Sequence, residues 1–301
     1  MLERLRAALL DLPVVIERAH VTCRAVRVPS YGGARPSSIV TLVGAGRRGE
    51  GEHVGWTEAD HAAFRETVHR TRLAGGWRLG ALAHRLAERG APPYDRAALE
   101  MAAIALALAQ RGTTLATLAG TTPRPPRTVV SFARTSDPVA EAARHPGCEL
   151  KVDVDPAWPA DTWDALARTG RVAILDWKGS GDAAAYAHAL RAIPTALYED
   201  PAPPLPDAVC ARLALDAPLT IAAAIDDATV ACNLKPARMG GVLETLDAAI
   251  RCARRGIAVY VGGMFEIDVG RSQLRDLAAI LSPDGPNDLA PIPLAVGVPT
   301  P

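Results

Sequence analysis

The feature that most constrains the fold is a repeated alternation of short apolar strands with helices after residue 128. Seven segments have strand character, and helical stretches such as PADTWDALARTG and LETLDAAIRCARRG lie between them. The segments are TVVSFA, CELKVDV, VAILDW, TALYED, RLALDA, TVACNLK and IAVYVGG. Such alternation predicts βαβ units and a parallel sheet. This number of repeats favours a closed TIM-type barrel over an open doubly wound sheet. No GxGxxG follows the first strand, so a dinucleotide-binding fold has no support.

The first third of the chain predicts an α+β unit. VVIERAHVTC and SSIVTLVGA have strand character, and a glycine-rich turn leads into a third strand. The amphipathic helix TEADHAAFRETVHRTRL opens with Thr57 in capping-box spacing, and the apolar helix YDRAALEMAAIALALAQRG is stopped by Gly112. The Pro-rich connector at 121–128 is the best domain boundary. We therefore expect an α+β domain over 1–120 and a barrel over 121–301.

The charge balance and the cysteines limit the class of partner. The 33 basic residues balance 33 acidic ones, and no long block of like charge occurs. This argues against nucleic acid or an anionic membrane as the main partner. The five cysteines are widely spaced and form no CxxC pair, which indicates free thiols in a reducing compartment. The N-terminus is interrupted by Asp11 and Pro13 and does not read as a signal peptide, so we expect a soluble cytoplasmic protein.

Charged residues collect at the ends of the predicted barrel strands, where the active sites of such barrels lie. They are Lys151, Asp153, Asp176, Lys178, Glu199, Asp216, Lys235 and Glu266. This set includes every lysine of the chain, whereas all other basic residues are arginine. Arginine stays protonated, but lysine can be tuned to give and take a proton. We therefore expect the three lysines to meet at one site.

Three of the strand-end acids predict a metal site. Asp176, Glu199 and Asp216 follow successive strands, and carboxylate oxygens are the ligands that Mg²⁺ prefers. The histidines and cysteines are not clustered as a zinc site requires. All seven histidines lie at or before position 188, and none falls on a predicted strand end. The lysines are then the titratable bases that face the metal.

These residues, in this order, resemble the enolase superfamily, in its muconate-lactonizing and mandelate-racemase-like branch. The resemblance lies in ALEMAAIALALAQRGTTLATLAG, ELKVD, ILDWKG, LYEDP, LALDAP, CNLKPARMGG and VYVGGMFEIDVGRS. It implies an N-terminal α+β capping domain plus a (β/α)7β TIM-type barrel. The tail PIPLAVGVPTP either packs back on the cap or extends into solvent. The resemblance also implies Mg²⁺ bound by Asp176, Glu199 and Asp216, and a Lys235 that faces the substrate α-carbon.

The sequence departs from the family pattern on two strands. The second strand usually carries Lys-x-Lys and here ends with Lys151 followed by Asp153. The third usually carries Asp-x-Asn and here has Asp176 followed by Lys178. We hypothesise that Lys178 supplies, from the neighbouring strand, the ammonium lost at Asp153.

The third metal ligand is the least determined position. The stretch from Glu199 to Lys235 is shorter than usual, and Asp216 in LDAP fits the ligand position best. Asp226 and Asp227 are the fallback, although they leave little room for a connecting helix. If Pro218 marks the start of that strand instead, the site is incomplete.

The resemblance implies abstraction of the α-proton of a small carboxylate substrate. Lys235 would act as base or acid on one face, and Lys151 or Lys178 would act on the other face or hold the carboxylate. Two lysines on opposite faces imply racemisation or epimerisation, whereas one implies elimination or cycloisomerisation. We expect substrate contacts from Asp153, Glu266, Asp288, Tyr31 and Arg35. The resemblance also implies a homo-oligomer.

Two other functions are compatible with the sequence. One is a catalytically impaired, metal-poor descendant that binds a ligand or serves as a scaffold, suggested by Asp153 and the short fifth unit. The other is a Schiff-base lyase with a strand-end lysine as nucleophile. The lyase would not need three acids on adjacent strands, and borohydride trapping with a carbonyl substrate distinguishes it.

Overall fold

The computed structural model describes residues 1–28, 33–221, 225 and 228–289. The helices are α1 (Leu2–Asp11), α2 (Glu58–Thr71), α3 (Leu79–Glu88), α4 (Pro93–Arg111), α5 (Leu115–Ala119), α6 (Pro138–Ala143), α7 (Ala160–Ala167), α8 (Ala183–Ala192), α9 (Asp207–Cys210), α10 (Pro236–Met239), α11 (Val242–Arg254) and α12 (Val269–Leu281). The strands are β1 (Pro13–Ile16), β2 (Arg18–Val28), β3 (Gly33–Gly44), β4 (Arg47–His53), β5 (Gly75–Arg78), β6 (Val129–Phe132), β7 (Glu149–Asp153), β8 (Val172–Asp176), β9 (Leu197–Glu199), β10 (Leu213–Leu215), β11 (Ala231–Leu234) and β12 (Ala258–Val261).

The N-terminal part is an antiparallel sheet packed on helices. Strands β2, β3 and β4 form the sheet, and α4 lies across β4. Gly49 and Gly51 of β4 permit this close packing, because a Cβ atom at either position would collide with the backbone of Ala102 or Ala98. The glycine-rich stretch that we read as a turn and strand thus also serves as a packing surface for α4.

One strand expected from the sequence is two strands in the structure. VVIERAHVTC divides at Glu17, whose backbone N–H donates to the Val43 carbonyl at 2.8 Å. The residues before the division form β1, which pairs antiparallel with β5, and those after it enter the sheet with β3. The alternation of apolar residues carries no sign of this change of partner, because both strands have the same period.

The helix ends follow their predicted chemistry. The Thr57 hydroxyl accepts a hydrogen bond from the Asp60 N–H at 3.2 Å, and the Asp60 carboxylate accepts one from the Thr57 N–H at 2.8 Å. This reciprocal pair is the capping box expected for α2. Helix α4 ends at Arg111, and the next residue, Gly112, adopts the left-handed conformation with φ of 59°.

The C-terminal part is a curled parallel sheet that closes on itself. Among the described residues, seven strands follow in the order β6 to β12, each parallel to its neighbours. A last short segment then bridges the two edges, because Asn287 pairs with Thr128 and Asp288 pairs with Gly262, both in parallel. This arrangement is the (β/α)7β barrel expected from the sequence, with 287–288 in the place of the eighth strand.

The cap and the barrel share a hydrophobic core. Residues of α1 and α4, including Leu5, Leu9 and Leu99, form one buried cluster with Leu246 of α11 and Leu274 of α12. This cluster seats the cap against the helices that follow the sixth and seventh strands.

The fifth unit is abbreviated, as its length suggested. Between β10 and β11, the described residues contain no helix. No helix in the described part of the chain is long and apolar enough to cross a membrane.

Candidate active site and metal centre

Three carboxylates meet at the carboxyl ends of adjacent barrel strands. Asp176 ends β8, Glu199 ends β9, and Asp216 directly follows β10. All three are buried, and each offers an oxygen within 4.8 Å of the others. The parallel register brings them together, because Asp176 lies opposite Glu199 in the β8–β9 pair. We call these three residues the acidic cluster.

Asp216 is the third acid of the cluster, the position that the sequence had left least determined. The carboxylate of Asp200 accepts hydrogen bonds from the backbone N–H groups of Asp216 at 2.9 Å and Ala217 at 2.7 Å. These bonds fix the chain where β10 ends and direct Asp216 at its neighbours. The fallback residues, Asp226 and Asp227, lie outside the described residues.

The three lysines all contact this cluster. The Lys151 ammonium lies 3.0 Å from Asp176 Oδ2, hydrogen bonds to Glu199 Oε1, and lies 3.6 Å from Asp288 Oδ2. Burial lowers the pKa of Lys151, but Glu199, Asp176 and Asp288 outweigh burial and raise it well above its ordinary value. The carboxylates around Lys151 therefore favour its charged form.

Lys178 and Asp153 form a pair at the rim of the cluster. The Lys178 ammonium lies 3.4 Å from Asp153 Oδ1 and contacts Asp176 Oδ2. The two side chains are 47% and 19% exposed, so this pair is open to solvent. Lys178 has φ of 51°, in the left-handed region, so the chain turns sharply at this residue. The ammonium thus lies beside the position where the family pattern has its second lysine.

Lys235 contacts the cluster from the opposite side. Its ammonium lies 2.7 Å from Asp216 Oδ2, and Arg238 donates to Asp216 Oδ1 at 2.6 Å. Burial opposes ionisation of Asp216, but Lys235, Lys151 and Arg238 outweigh it and lower its pKa below the ordinary value. Asp216 therefore remains a carboxylate.

Two residues that the sequence analysis did not identify form hydrogen bonds with Glu199. The hydroxyl of Tyr260 donates to Glu199 Oε2, and Asn233 Nδ2 lies 3.3 Å from the same oxygen. Asn233 could have been found from the sequence, because it lies two residues before Lys235 and shares its face of the strand. Tyr260 carried no such signal, since it reads as an ordinary apolar strand residue.

The donors and charges of the cluster fit a hard cation. Burial and the neighbouring Asp216 and Asp176 raise the pKa of Glu199, even though Lys151 lies against it. A bound cation would offset both the burial of Glu199 and the repulsion between neighbouring carboxylates. Oxygen donors of this kind suit Mg²⁺.

The substrate-binding candidates are placed differently. Asp288 lies beside Lys151, at the edge of the cluster. Glu266 is buried and accepts from the N–H of Met264 at 2.7 Å, within its own loop. Arg35 is also buried, lies over the rings of Trp56 and Phe265, and donates to the Val54 and Met264 carbonyls at 2.9 Å.

Substrate contact by these residues remains a prediction. Within the described residues, Arg35 joins the cap to the loop that follows β12, and Glu266 accepts a hydrogen bond inside that loop. Tyr31 lies outside the described residues.

Comparison with solved structures shows the fold of the enolase superfamily. A dipeptide epimerase from Methylococcus capsulatus complexed with Mg ion is 23% identical with a TM-score of 0.79, covering 91% of this chain and 89% of its own. The same enzyme with Mg and the dipeptide L-Arg-D-Lys is 24% identical with a TM-score of 0.79, covering 94% and 93%. A mandelate racemase/muconate lactonizing protein from Herpetosiphon aurantiacus is 20% identical with a TM-score of 0.79, covering 95% and 92%. The resemblance seen in the sequence is thus confirmed at the level of fold.

The chain itself belongs to the DUF8230 family. The C-terminal domain of this family, a domain of unknown function, matches residues 123–294, and its N-terminal domain matches residues 7–118. No curated protein matches the sequence.

Proposed function

We propose that this protein is a Mg²⁺-dependent enzyme that removes the α-proton of a small carboxylate substrate. The observation that carries the proposal is the meeting of three buried carboxylates and all three lysines of the chain at one end of the barrel. Such a concentration of buried charge costs several kcal/mol per ion unless the groups are paired or bind a metal. Its position at the strand ends is where barrels of this type carry out their chemistry.

Asp176, Glu199 and Asp216 would hold the metal. Bound there, Mg²⁺ would supply Lewis-acid charge beside the substrate carboxylate, which makes the α-proton more acidic. Tyr260 and Asn233 orient Glu199, and Asp200 orients Asp216. Such supporting contacts keep ligand oxygens in place before the metal arrives.

Lys235 is the proposed base. It is held by Asp216 from the β10 side, and its side chain is only 8% exposed. As the neutral amine, a lysine buried this deeply could take the proton, and its conjugate acid would then stay beside the carbon that lost it. Arg238 also pairs with Asp216 and offsets its charge.

The opposite side offers two ammonium groups with different environments. Lys151 is buried among carboxylates. Its ammonium is suited to binding the substrate carboxylate or to balancing the negative charge of the substrate. Lys178 is exposed at the rim and is the proposed proton donor for the second face. A base on one face and a donor on the other would give racemisation or epimerisation, the reaction class named for several proteins of this fold.

One observation favours a second candidate, a ligand-binding protein that needs no metal. The Lys151 ammonium already contacts two of the three carboxylates of the cluster. An internal cation of this kind can satisfy a buried carboxylate pair without Mg²⁺.

Proton exchange separates the two candidates. The protein is incubated in heavy water with a panel of α-amino acids, dipeptides and 2-hydroxy acids, with Mg²⁺ or with EDTA. The enzyme proposal predicts α-deuteration of at least one substrate that stops when EDTA is present. Exchange that proceeds equally with EDTA, or none with any carboxylate that binds, contradicts it and supports the second candidate.

A further inference from the structure

Two glutamates of the N-terminal cap domain accept hydrogen bonds from backbone N–H groups at the N-termini of two barrel helices. Glu52, at the end of β4, is buried, and its carboxylate accepts from the N–H groups of Ile267 at 3.0 Å, Asp268 at 3.1 Å and Gly270 at 3.1 Å. These groups form the first turn of α12 and the residues before it. The free N–H groups of a helix start need such acceptors and favour a negative charge.

Glu100 of α4 makes the equivalent contact with α11. Its buried carboxylate accepts from the Leu243 N–H at 2.9 Å. Neither helix caps itself, because the residues at their N-cap positions, Gly241 and Asp268, provide no side-chain hydrogen bond. The caps of α11 and α12 therefore come from another domain, 143 and 216 residues away in sequence.

A glycine stands where each glutamate approaches. A Cβ atom at Gly241 would lie 2.5 Å from Glu100 Oε1, and one at Gly270 would lie 2.9 Å from Glu52 Oε2. Gly270 lies in a helix with ordinary φ, so its lack of a side chain is explained by the approach of Glu52 and of Glu266, whose Cγ lies equally close, rather than by backbone conformation. Both helix starts are thus shaped to receive a carboxylate from the cap.

The capped helices follow the segments that carry two candidate site residues, the proposed base Lys235 and the substrate-binding candidate Glu266. Lys235 precedes α10, which packs against α4 and leads directly to Gly241. Glu266 lies in the loop between β12 and α12. We propose that Glu52 and Glu100 are positioning residues of the cap: Glu52 fixes the loop before α12, and Glu100 fixes the start of α11 and with it the segment that carries Lys235. The proposal rests on the proposed function for the role of Lys235 alone.

Amide hydrogen exchange on the full chain tests the contacts without requiring turnover. The variants are Glu52→Ala, Glu100→Ala and the conservative Glu100→Gln, with Glu66→Ala as the control, since Glu66 is exposed on α2. We expect exchange to rise about tenfold or more in 264–272 for Glu52→Ala and in 239–246 for Glu100→Ala, with β7 to β9 unchanged. Glu100→Gln keeps one acceptor oxygen and should restore most of the protection.

A second pair of variants keeps the test valid if the alanine variants fail to fold. Gly270→Ala adds one methyl group against Glu52 and Glu266, whereas Gly76→Ala adds one where no atom lies within 4 Å. Only Gly270→Ala should accelerate exchange in 264–272. In a protein that turns over substrate, Glu100→Ala should lower kcat at least tenfold and Glu100→Gln much less, while Mg²⁺ affinity changes less than threefold in both.

Unchanged exchange in both loops, or a uniform increase that includes β7 to β9, would overturn the positioning role. A parent protein that shows no proton exchange would defeat the proposed function instead, while the amide exchange of the two loops would still decide the contacts.

Discussion

The two sides of the acidic cluster present lysines in different ways. On the β10–β11 side, Lys235 and Asp216 are 8% and 5% exposed, and the loop that follows is clamped by Glu100 of the cap. On the β7–β8 side, Lys178 and Asp153 are 47% and 19% exposed and are joined across two strands. Within the described residues, no cap side chain reaches this second pair.

The difference separates a fixed group from an adjustable one. A buried lysine whose loop is held at both ends keeps one geometry, as a base for a weakly acidic proton requires. An exposed lysine paired at the rim has room to move and exchanges protons with solvent. The fixed side, with Lys235, follows the family pattern. The open side, with Lys178 and Asp153, departs from it.

Removal of the fixed lysine should have the largest effect. Lys235→Ala is expected to lower the rate of α-proton exchange by about 1,000-fold or more, because the proposed base is lost. Asp216 keeps Arg238, so folding and Mg²⁺ binding should persist. Turnover in heavy water, circular dichroism and calorimetry measure these three properties. Activity near that of the parent would remove Lys235 from the mechanism.

The role of Lys178 on the β7–β8 side is tested by removing its ammonium and restoring a lysine at position 153. Lys178→Ala should lower activity by about 100-fold, since the only ammonium beside Asp153 in the described structure would be absent. The double variant with Asp153→Lys should regain part of the activity, because it restores a lysine on β7. Parent-like activity of Lys178→Ala would contradict the hypothesis that Lys178 replaces the lysine lost at Asp153. Lys178→Arg shows whether a positive charge alone suffices.

The clamp on the fixed side should make stability depend on pH. Burial raises the pKa of Glu100 from the ordinary 4.5 to about 7, against the lowering effect of the Leu243 and Val242 N–H groups and Arg96, and Glu244 adds to the rise. The folded state therefore binds the proton more tightly than the unfolded state does between these values. The free energy of unfolding should fall by up to about 3 kcal/mol as pH rises from 4.5 to above 7.

Glu100→Gln removes this titration, so its unfolding free energy should lack that decrease. Urea unfolding at pH 5 and pH 8 measures it, with Glu66→Gln as the matched control. Equal pH dependence in parent and Glu100→Gln would show that Glu100 is already ionised at pH 5.

The junction between the two sides should give the smallest effect. Glu199 is held by Lys151 from one side and by Tyr260 from the other. Tyr260→Phe removes one hydrogen bond and should weaken Mg²⁺ binding by about tenfold. Tyr186→Phe is the control, because that hydroxyl donates to the Ala202 carbonyl at 2.6 Å and not to the cluster. Equal Mg²⁺ affinity in both variants would show that Tyr260 does not orient the ligand.

The sequence allowed the acidic cluster to be predicted because its geometry is local and periodic. Each acid ends an apolar strand, and parallel strands place their carboxyl ends at one edge. The same logic brought Lys151, Lys178 and Lys235 to that edge, and the structure confirms that they meet there.

The contacts that the sequence could not reveal join residues far apart in the chain. Nothing near Glu52 or Glu100 indicates a barrel helix as partner, since each is an ordinary glutamate in a strand or helix. The separate pairing of β1 with β5 was hidden for the same reason. The glycines at 241 and 270 are sequence signals of these contacts. Glycine also occurs wherever a turn needs a positive φ, so these two residues alone could not predict the contacts.

The central claim is that the acidic cluster binds Mg²⁺, and titration calorimetry tests it most directly. The parent is compared with Asp176→Asn and Asp216→Asn, which keep side-chain size but remove a ligand charge, and with Asp276→Asn on α12 as the control. We predict one Mg²⁺ per chain for the parent and the control, and binding weakened at least 100-fold in both cluster variants. A parent that binds no Mg²⁺, or cluster variants that bind it as tightly as the parent, would contradict the claim and leave Lys151 as the cation that these carboxylates are built around.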